Sequence, residues 1–296
     1  MDTDRVKNIL IVLFSFVVVL LGSLIFINEG RYNLSAAQEA AVLNLLERND
    51  IHFDGEIVRN FSPMRRLDMI SYDYDREELA KRFFASEDFV VGIDLANYNY
   101  MIYYIDNARM VYFMHDNTIS FETDTGITGG AFEETPGANT AEQLAREFVE
   151  EIMGMPQGAQ SFTHISFNGD WVISFFGMYR GYTLYNDHIR VRVTDEGITS
   201  VLFSRVVNNG FTGEAVSIFS GDEALLALMH HLRGTGVQGR IMISYMGLTY
   251  FLIEEGGREI GIPAYVFTVV LESGLQFNYL FNAHTGGFIT YEIIIR

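Results

Sequence analysis

Residues 140–203 read TAEQLAREFVEEIMGMPQGAQSFTHISFNGDWVISFFGMYRGYTLYNDHIRVRVTDEGITSVLF, and their pattern decides the fold class. Thr140 followed by Gln143 is the reciprocal capping arrangement that opens helices, and Leu144, Phe148 and Ile152 then recur at helical spacing on one face. Short runs of β-branched and aromatic residues follow: Trp171 to Met178, Ile189 to Thr194, and the closing aromatic strand Thr199 to Phe203. Asn168-Gly169 and Glu196-Gly197 sit where the chain must reverse with positive φ. Hairpins imply antiparallel pairing. The class read from this stretch is α+β, with helices packed on one face of antiparallel sheets.

The same grammar extends outward. Ser35 to Gln38, Asp75 to Glu78 and Ser220 to Glu223 are three more capping signatures, leading into Val42, Leu43 and Leu46, into Leu79, Phe83 and Phe84, and into Leu225, Leu228, Met229 and Leu232. Tyr98 to Ile105, Arg109 to Met114 and Tyr265 to Leu271 read as strands, with Ser273-Gly274 and Gly286-Gly287 as further reversals. Thr125 to Asn139 has little to bury and several breakers, so residues 126–139 read as a linker between a domain at 31–125 and a second at 140–296. Within the second, residues 140–212 and 215–296 each run helix, hairpin strands, Gly turn, aromatic strand, the last closing with Gln276 to Phe281. True duplication and a chance recurrence of common parts both produce that pattern.

Asp and Glu total 38 against 20 Lys and Arg, a formal charge of -18. A surface of that sign repels phosphate backbones, so nucleic acid is not an expected partner. Hydrophobic residues make up 49%, enough for a substantial core. Cysteine is absent, which removes disulfides, thiolate metal sites and cysteine nucleophiles.

Ile9 to Ile27 is apolar except for Ser15, Gly22 and Ser23. At about 1.5 Å per helical residue it reaches roughly 28 Å, close to a bilayer core. A cleaved signal peptide is the competing reading, since Ser35-Ala36-Ala37 offers small residues. That site lies well beyond the run, however, and the run exceeds the usual h-region of about 7–15 residues. An uncleaved single transmembrane helix at 9–27 is expected. Residues 1–8, with Arg5 and Lys7, are placed in the cytoplasm and the rest outside, as two exported domains. Gly22 and Ser23 are the small residues that would let another helix approach.

Motifs with chemical content weigh less. Gly234 to Gly239 spells the dinucleotide fingerprint but follows a helix and precedes a strand, so it reads as a helix end and loop. His230 and His231 adjoin and point about 100° apart on a helix, too divergent for one metal. Glu122, Asp124 and Gly126 lack the later ligands of a calcium loop, and Asp73 and Asp75 alternate with Tyr72 and Tyr74 as a strand end would. Tyr98, Tyr100, Tyr103 and Tyr104 place aromatics on both faces of one strand, which fits a core, a sheet surface or a protein interface. No catalytic, cofactor-binding or metal-binding residue is assigned, and no cofactor is expected.

Met1-Asp2, the basic Arg5 and Lys7, the span beginning Ile9-Leu10-Ile11 with Phe14, and the Leu-rich helix after Ser35 together resemble the YycI family. Ile262-Pro263-Ala264-Tyr265, the Gly274 turn and Tyr279-Leu280-Phe281-Asn282-Ala283-His284-Thr285-Gly286 resemble that family's closing hairpin. The ending is also similar to PepSY-type modules. Thr3 and Asp4 depart from the Trp-Ser of the family pattern. The resemblance implies a non-enzymatic, membrane-anchored accessory regulator of the YycG (WalK) sensor histidine kinase, working beside a YycH-like sister protein in control of cell-wall turnover. An alternative from another class is a PepSY-like inhibitor or chaperone of an exported hydrolase, binding by edge-strand addition. A third is a hydrolase whose site assembles from distant residues.

Overall fold

The computed structural model describes residues 14, 17, 18, 32–94, 99–115, 117–127, 132, 135–166 and 168–294. Phe14, Val17 and Val18 are helical and exposed. The remainder of Ile9 to Ile27, including Gly22 and Ser23, lies outside the described residues. Among those described, no helix is long and apolar enough to cross a membrane.

The elements run α1 (Ala36–Glu47), β1 (Ile51–Phe53), β2 (Met64–Ser71), α2 (Arg76–Phe84), β3 (Val90–Asp94), β4 (Tyr100–Ile105), β5 (Ala108–Phe113) and β6 (Thr118–Thr123). They continue α3 (Ala138–Ile152), β7 (Gln160–Ile165), β8 (Trp171–Tyr179), β9 (Tyr182–Thr194), β10 (Gly197–Ser204), β11 (Val206–Val216), α4 (Gly221–Gly234), β12 (Ile241–Glu255), β13 (Arg258–Leu271), β14 (Gln276–Asn282) and β15 (Phe288–Ile294). One helix followed by four strands therefore occurs three times: α2 with β3 to β6, α3 with β7 to β10, and α4 with β12 to β15. The second and third occurrences fall at 140–212 and 215–296, but the third is not one compact unit, since β12 and β13 are each divided between the two units described below.

Local chemistry explains the helix starts. Ser35 and Gln38 form a full capping box, with Ser35 Oγ accepting from the Gln38 N–H at 3.3 Å and Gln38 Oε1 accepting from the Ser35 N–H at 3.2 Å. Asp75 accepts from the Glu78 N–H at 3.0 Å. Because Asp75 is exposed, its loss removes little else, and Asp75→Ala is expected to cost about 1 kcal/mol of unfolding free energy in urea melts. The third start differs from the sequence reading: α3 begins at Ala138 after an extended Gly137, so Thr140 lies inside the first turn. Gln143 turns away from the cap and donates to Glu147 at 2.8 Å.

The chain divides into two units, residues 1–64, 215–247 and 264–294, and residues 65–214, 248–263 and 295–296. The boundary expected at 126–139 falls inside the second unit. β6 lies before that stretch and β10 after it, and they pair antiparallel from Ser200↔Glu122 to Phe203↔Ile119. Gly126 sits in the same stretch with φ +68, and a Cβ there would run into the Glu196 carbonyl, so only glycine fits.

In the first unit, α1 and α4 bury Val42, Leu46, Leu225, Leu228, Met229 and Leu232. β13, β14 and β15 form an antiparallel series, and β1 pairs parallel with the start of β12. His231 of α4 lies over the sheet, stacked on Phe288 at 4.0 Å and edge-on to Phe281 and Tyr279 at 5.8 Å each.

In the second unit eight strands follow the order β7-β8-β9-β10-β6-β5-β4-β3, every neighbouring pair among them antiparallel. Both helices contribute to one core: Leu79, Ala80 and Phe83 of α2, and Ala141, Ala145, Phe148 and Val149 of α3, share a cluster with Ile173, Phe175, Ile189, Val191, Val193, Val201, Phe203, Phe121, Ile119, Met110, Tyr112 and Tyr103 from the strands. Phe83 stacks on Phe121 at 4.7 Å. The expected arrangement, helices on one face of an antiparallel sheet, is what this unit has. β9 also meets β12, in parallel, at Thr183 and Leu184.

Candidate functional site

Strand alternation puts the residues between these core positions on the opposite face of the second unit's sheet. The registers align them in rows. One row runs Phe162 (β7), Ser174 (β8), Arg190 (β9), Leu202 (β10), Ser120 (β6), Val111 (β5), Ile102 (β4) and Gly92 (β3). The next runs His164, Val172, Arg192, Ser200, Glu122, Arg109, Tyr104 and Val90 across the same strands. Both helices of this unit lie on the other face. The outward row ends are open: Phe162 is 49%, Tyr104 44% and Val90 54% exposed.

Arg190 and Arg192 stand at the middle of these rows. They are half-buried, and no described residue hydrogen-bonds or ion-pairs with either. Cross-strand neighbours are Ser174 and Leu202 for Arg190, and Val172 and Ser200 for Arg192. Alternate positions of one strand are roughly 7 Å apart, and two like charges at that spacing repel by on the order of 1 kcal/mol at a partly desolvated site. Arg109, in the same row, is neutralised across the β5–β6 pair by Glu122, its Nε donating to Glu122 Oε2 at 3.1 Å. In a chain of net charge -18, a pair of unmatched arginines on an apolar and hydroxyl-bearing sheet face is a local reversal of sign.

β9 is fixed in place by a buried ion pair further along it. Arg205 Nε donates to Asp187 Oδ1 at 2.6 Å, and the same guanidinium donates to the carbonyls of Gly154 at 2.8 Å and Met155 at 3.3 Å. The Asp187 side chain is 2% exposed and that of Arg205 14%. Burial pushes the Asp187 carboxyl above the usual range, and Arg205 opposes that shift without cancelling it. Gly177 on β8 makes the room, since a Cβ there would collide with the Asp187 carboxylate. The chain just after α3, and β8, β9 and the residue between β10 and β11, thus meet at one charge pair. A second tie links α3 to β7. Glu142 accepts from Ser161 at 2.7 Å and from Arg146 at 3.1 Å, and these bonds, the serine's foremost, hold its carboxyl below the usual range.

The residues singled out from sequence scatter. Gly22 and Ser23 fall outside the described residues. Gly234 ends α4 and Gly236 and Gly239 take positive φ in the loop before β12, as a helix end requires. His231 belongs to the aromatic packing of the first unit, where burial lowers its imidazole pKa. His284 bonds the Met64 carbonyl at 3.1 Å. Asp75 is a helix cap, and Asp73 pairs with Arg76 at 3.8 Å. Of the tyrosines on β4, Tyr103 is core and Tyr104 faces outward, while Tyr98 is outside the described residues. The sequence reading passed over Arg190 and Arg192. Their signal was present in Ile189-Arg190-Val191-Arg192-Val193-Thr194, where the polar positions of an alternating strand are both arginine.

No protein-family model and no curated protein matches the sequence. Among solved structures, the chain is similar to an uncharacterized protein from Eubacterium rectale, at 14% identity and a TM-score of 0.48 over 82% of this chain and 91% of that one. It is also similar to YycH from Bacillus subtilis, at 12% identity and a TM-score of 0.44 over 71% of this chain and 52% of that one. The Bacillus megaterium YpeB C-terminal domain aligns at 12% identity and a TM-score of 0.36 over 76% of this chain and 99% of the domain.

Proposed function

We propose that this protein is a non-enzymatic, membrane-anchored accessory regulator of a sensor histidine kinase governing cell-wall homeostasis, acting through protein–protein contacts. The observation that carries the reading is the second unit's open sheet face, where apolar side chains and two unmatched arginines lie on a broad surface with its helices behind it. Such a surface fits a macromolecular partner better than a small substrate, which binds in a concave site. The apolar run Ile9 to Ile27, preceded by Arg5 and Lys7, supports a single-pass anchor with a cytoplasmic N-terminus and the bulk of the chain outside. The residues that resemble the YycI family supply the kinase and a YycH-like sister protein as partners.

Cross-linked recovery of the tagged full-length protein from native membranes tests this, beside a version with residues 9–27 replaced by an unrelated span. A sensor kinase recovered with the native span and lost on replacement is the expected result. No kinase in either sample overturns the reading.

An inhibitor or chaperone of an exported hydrolase is the second reading. It is favoured by β3, which among the described residues pairs with β4 alone and exposes Val90, Val91 and Ile93 along an edge suited to strand addition. A hydrolase recovered equally with both spans would decide for it.

A further inference from the structure

We infer that the open sheet face of the second unit binds an extended, acidic segment of a partner protein, with Arg190 and Arg192 as its charge-reading residues. The inference rests on the regulatory reading above and adds where the partner docks and what chemistry it carries.

Three observations converge on that occupant. The first is charge. Arginine is rarely withdrawn from water without an anionic partner, yet Arg190 and Arg192 are half-buried and neither is matched by any described carboxylate, whereas Arg109, Arg146 and Arg205 each have one. A planar guanidinium presents a fork of donors that fits a carboxylate, so a carboxylate from outside completes each arginine.

Spacing is the second. Alternate positions of a strand repeat at roughly 7 Å, and the arginines occupy two such positions. An extended partner segment with carboxylates on alternate residues has the same repeat, so both pairs form without bending either chain. The third observation is the surroundings. Phe162 and Phe176 pack edge-to-face at 5.8 Å on one side of the arginines, and Leu202 with Val111, Ile102 and Tyr104 extends from the other. Apolar flanks on both sides of a charged centre call for a segment that also carries apolar residues, which a lone anion or a lipid headgroup does not.

The test uses the full-length chain in detergent micelles and a fluorescein-labelled ten-residue peptide alternating Glu with Leu and Tyr. A Gln-for-Glu peptide and a Lys-for-Glu peptide serve as comparators. The expected result is saturable anisotropy with the acidic peptide, at least tenfold weaker binding of the other two, and affinity that falls as salt rises. R190E/R192E should lose at least tenfold, and R190Q/R192Q, which keeps the size of the face but not its charge, nearly as much. Both positions face outward, and an unchanged melting temperature of each variant shows that the fold is retained.

Equal binding of the three peptides overturns the proposal, as does acidic-peptide binding that R190Q/R192Q leaves intact. Binding to phosphatidylserine vesicles that depends on the arginines and resists competition by the acidic peptide assigns the face to a membrane instead. Self-association lost in R190E/R192E with no peptide binding assigns it to a second copy. Membrane cross-linking of the same variants separates the two levels. Kinase recovery that ignores both substitutions leaves the regulatory reading standing and removes this face from it. Peptide binding with no kinase recovered does the reverse.

Discussion

Arg205→Ala is expected to lower the unfolding free energy at pH 7 by about 3–5 kcal/mol, because it strands the Asp187 carboxylate in a site where the side chain is 2% exposed. The guanidinium does more than neutralise one charge. It also satisfies the carbonyls of Gly154 and Met155, which lose their donors together with the ion pair. The size of the effect depends on pH, with a definite sign. In the native protein burial already raises the Asp187 pKa, and Arg205 pulls it back down. Without the arginine the folded-state value climbs further, while the unfolded value stays near the ordinary 3.9 or so. The folded variant then holds a proton that the unfolded chain has released, so its stability falls as pH rises through that window and recovers as pH falls. Urea melts at pH 8 and at about pH 5 should therefore show the deficit shrinking in acid. A deficit that is constant or grows in acid would mean that the lost carbonyl bonds dominate. The paired change D187N/R205M, which removes both charges, should restore much of the loss.

The ion pair also shows where sequence reading stops. Asp187 lies in Tyr185-Asn186-Asp187-His188, a stretch with no alternation to mark one side chain as buried, and its partner is 18 residues away across a hairpin. Nothing local distinguishes Arg205 from the other arginines. Gly177 is similarly unremarkable in sequence, because its reason is the carboxylate opposite and no turn requires it. The elements themselves were legible. Capping residues at Ser35, Asp75 and Ser220 mark three helix starts because the bonds that define a cap join residues three apart. Thr140 misled for the same local reason: the signature was present, but the chain enters the helix three residues earlier through Gly137.

Domain division was the larger miss. Thr125 to Asn139 has linker composition, yet β6 and β10, far apart in sequence, are strand neighbours. Composition reports what a segment can bury on its own account and carries no information about what its two ends pair with. The open face was half legible. Alternation in 189–194 predicts a strand with arginine on every second residue, but whether a helix covers that face or the other is decided by α2 and α3, which pack on the Ile189, Val191 and Val193 side.

Phe83→Ala is expected to have the other large effect, about 3–5 kcal/mol, and it reaches the candidate site through the core. Phe83 is 2% exposed and stands where both helices of the second unit meet the sheet: its ring lies 4.7 Å from Phe121 of β6, 5.9 Å from Phe148 of α3 and 6.1 Å from Phe203 of β10. Truncation removes the ring that three elements share, and the aromatic neighbours are too stiff to close the space fully. Phe84, next in sequence, is only partly buried against Phe89 and Phe121, so Phe84→Ala should cost clearly less. Phe83→Leu, which keeps most of the volume, should cost about 1.5 kcal/mol. The single tryptophan, Trp171, reports on this unit, its Nε1 donating to the Pro136 carbonyl at 2.6 Å, so fluorescence-detected urea melts follow the transition directly. Phe121 and Phe203 alternate along their strands with Ser120 and Leu202 of the open face, so slack in the core is slack in the positions flanking Arg190. At temperatures where the variant remains folded, acidic-peptide affinity should weaken in step with the loss of stability along the Phe83 series. A variant that melts early yet binds at full strength would show that the arginine face holds its shape without the aromatic core behind it.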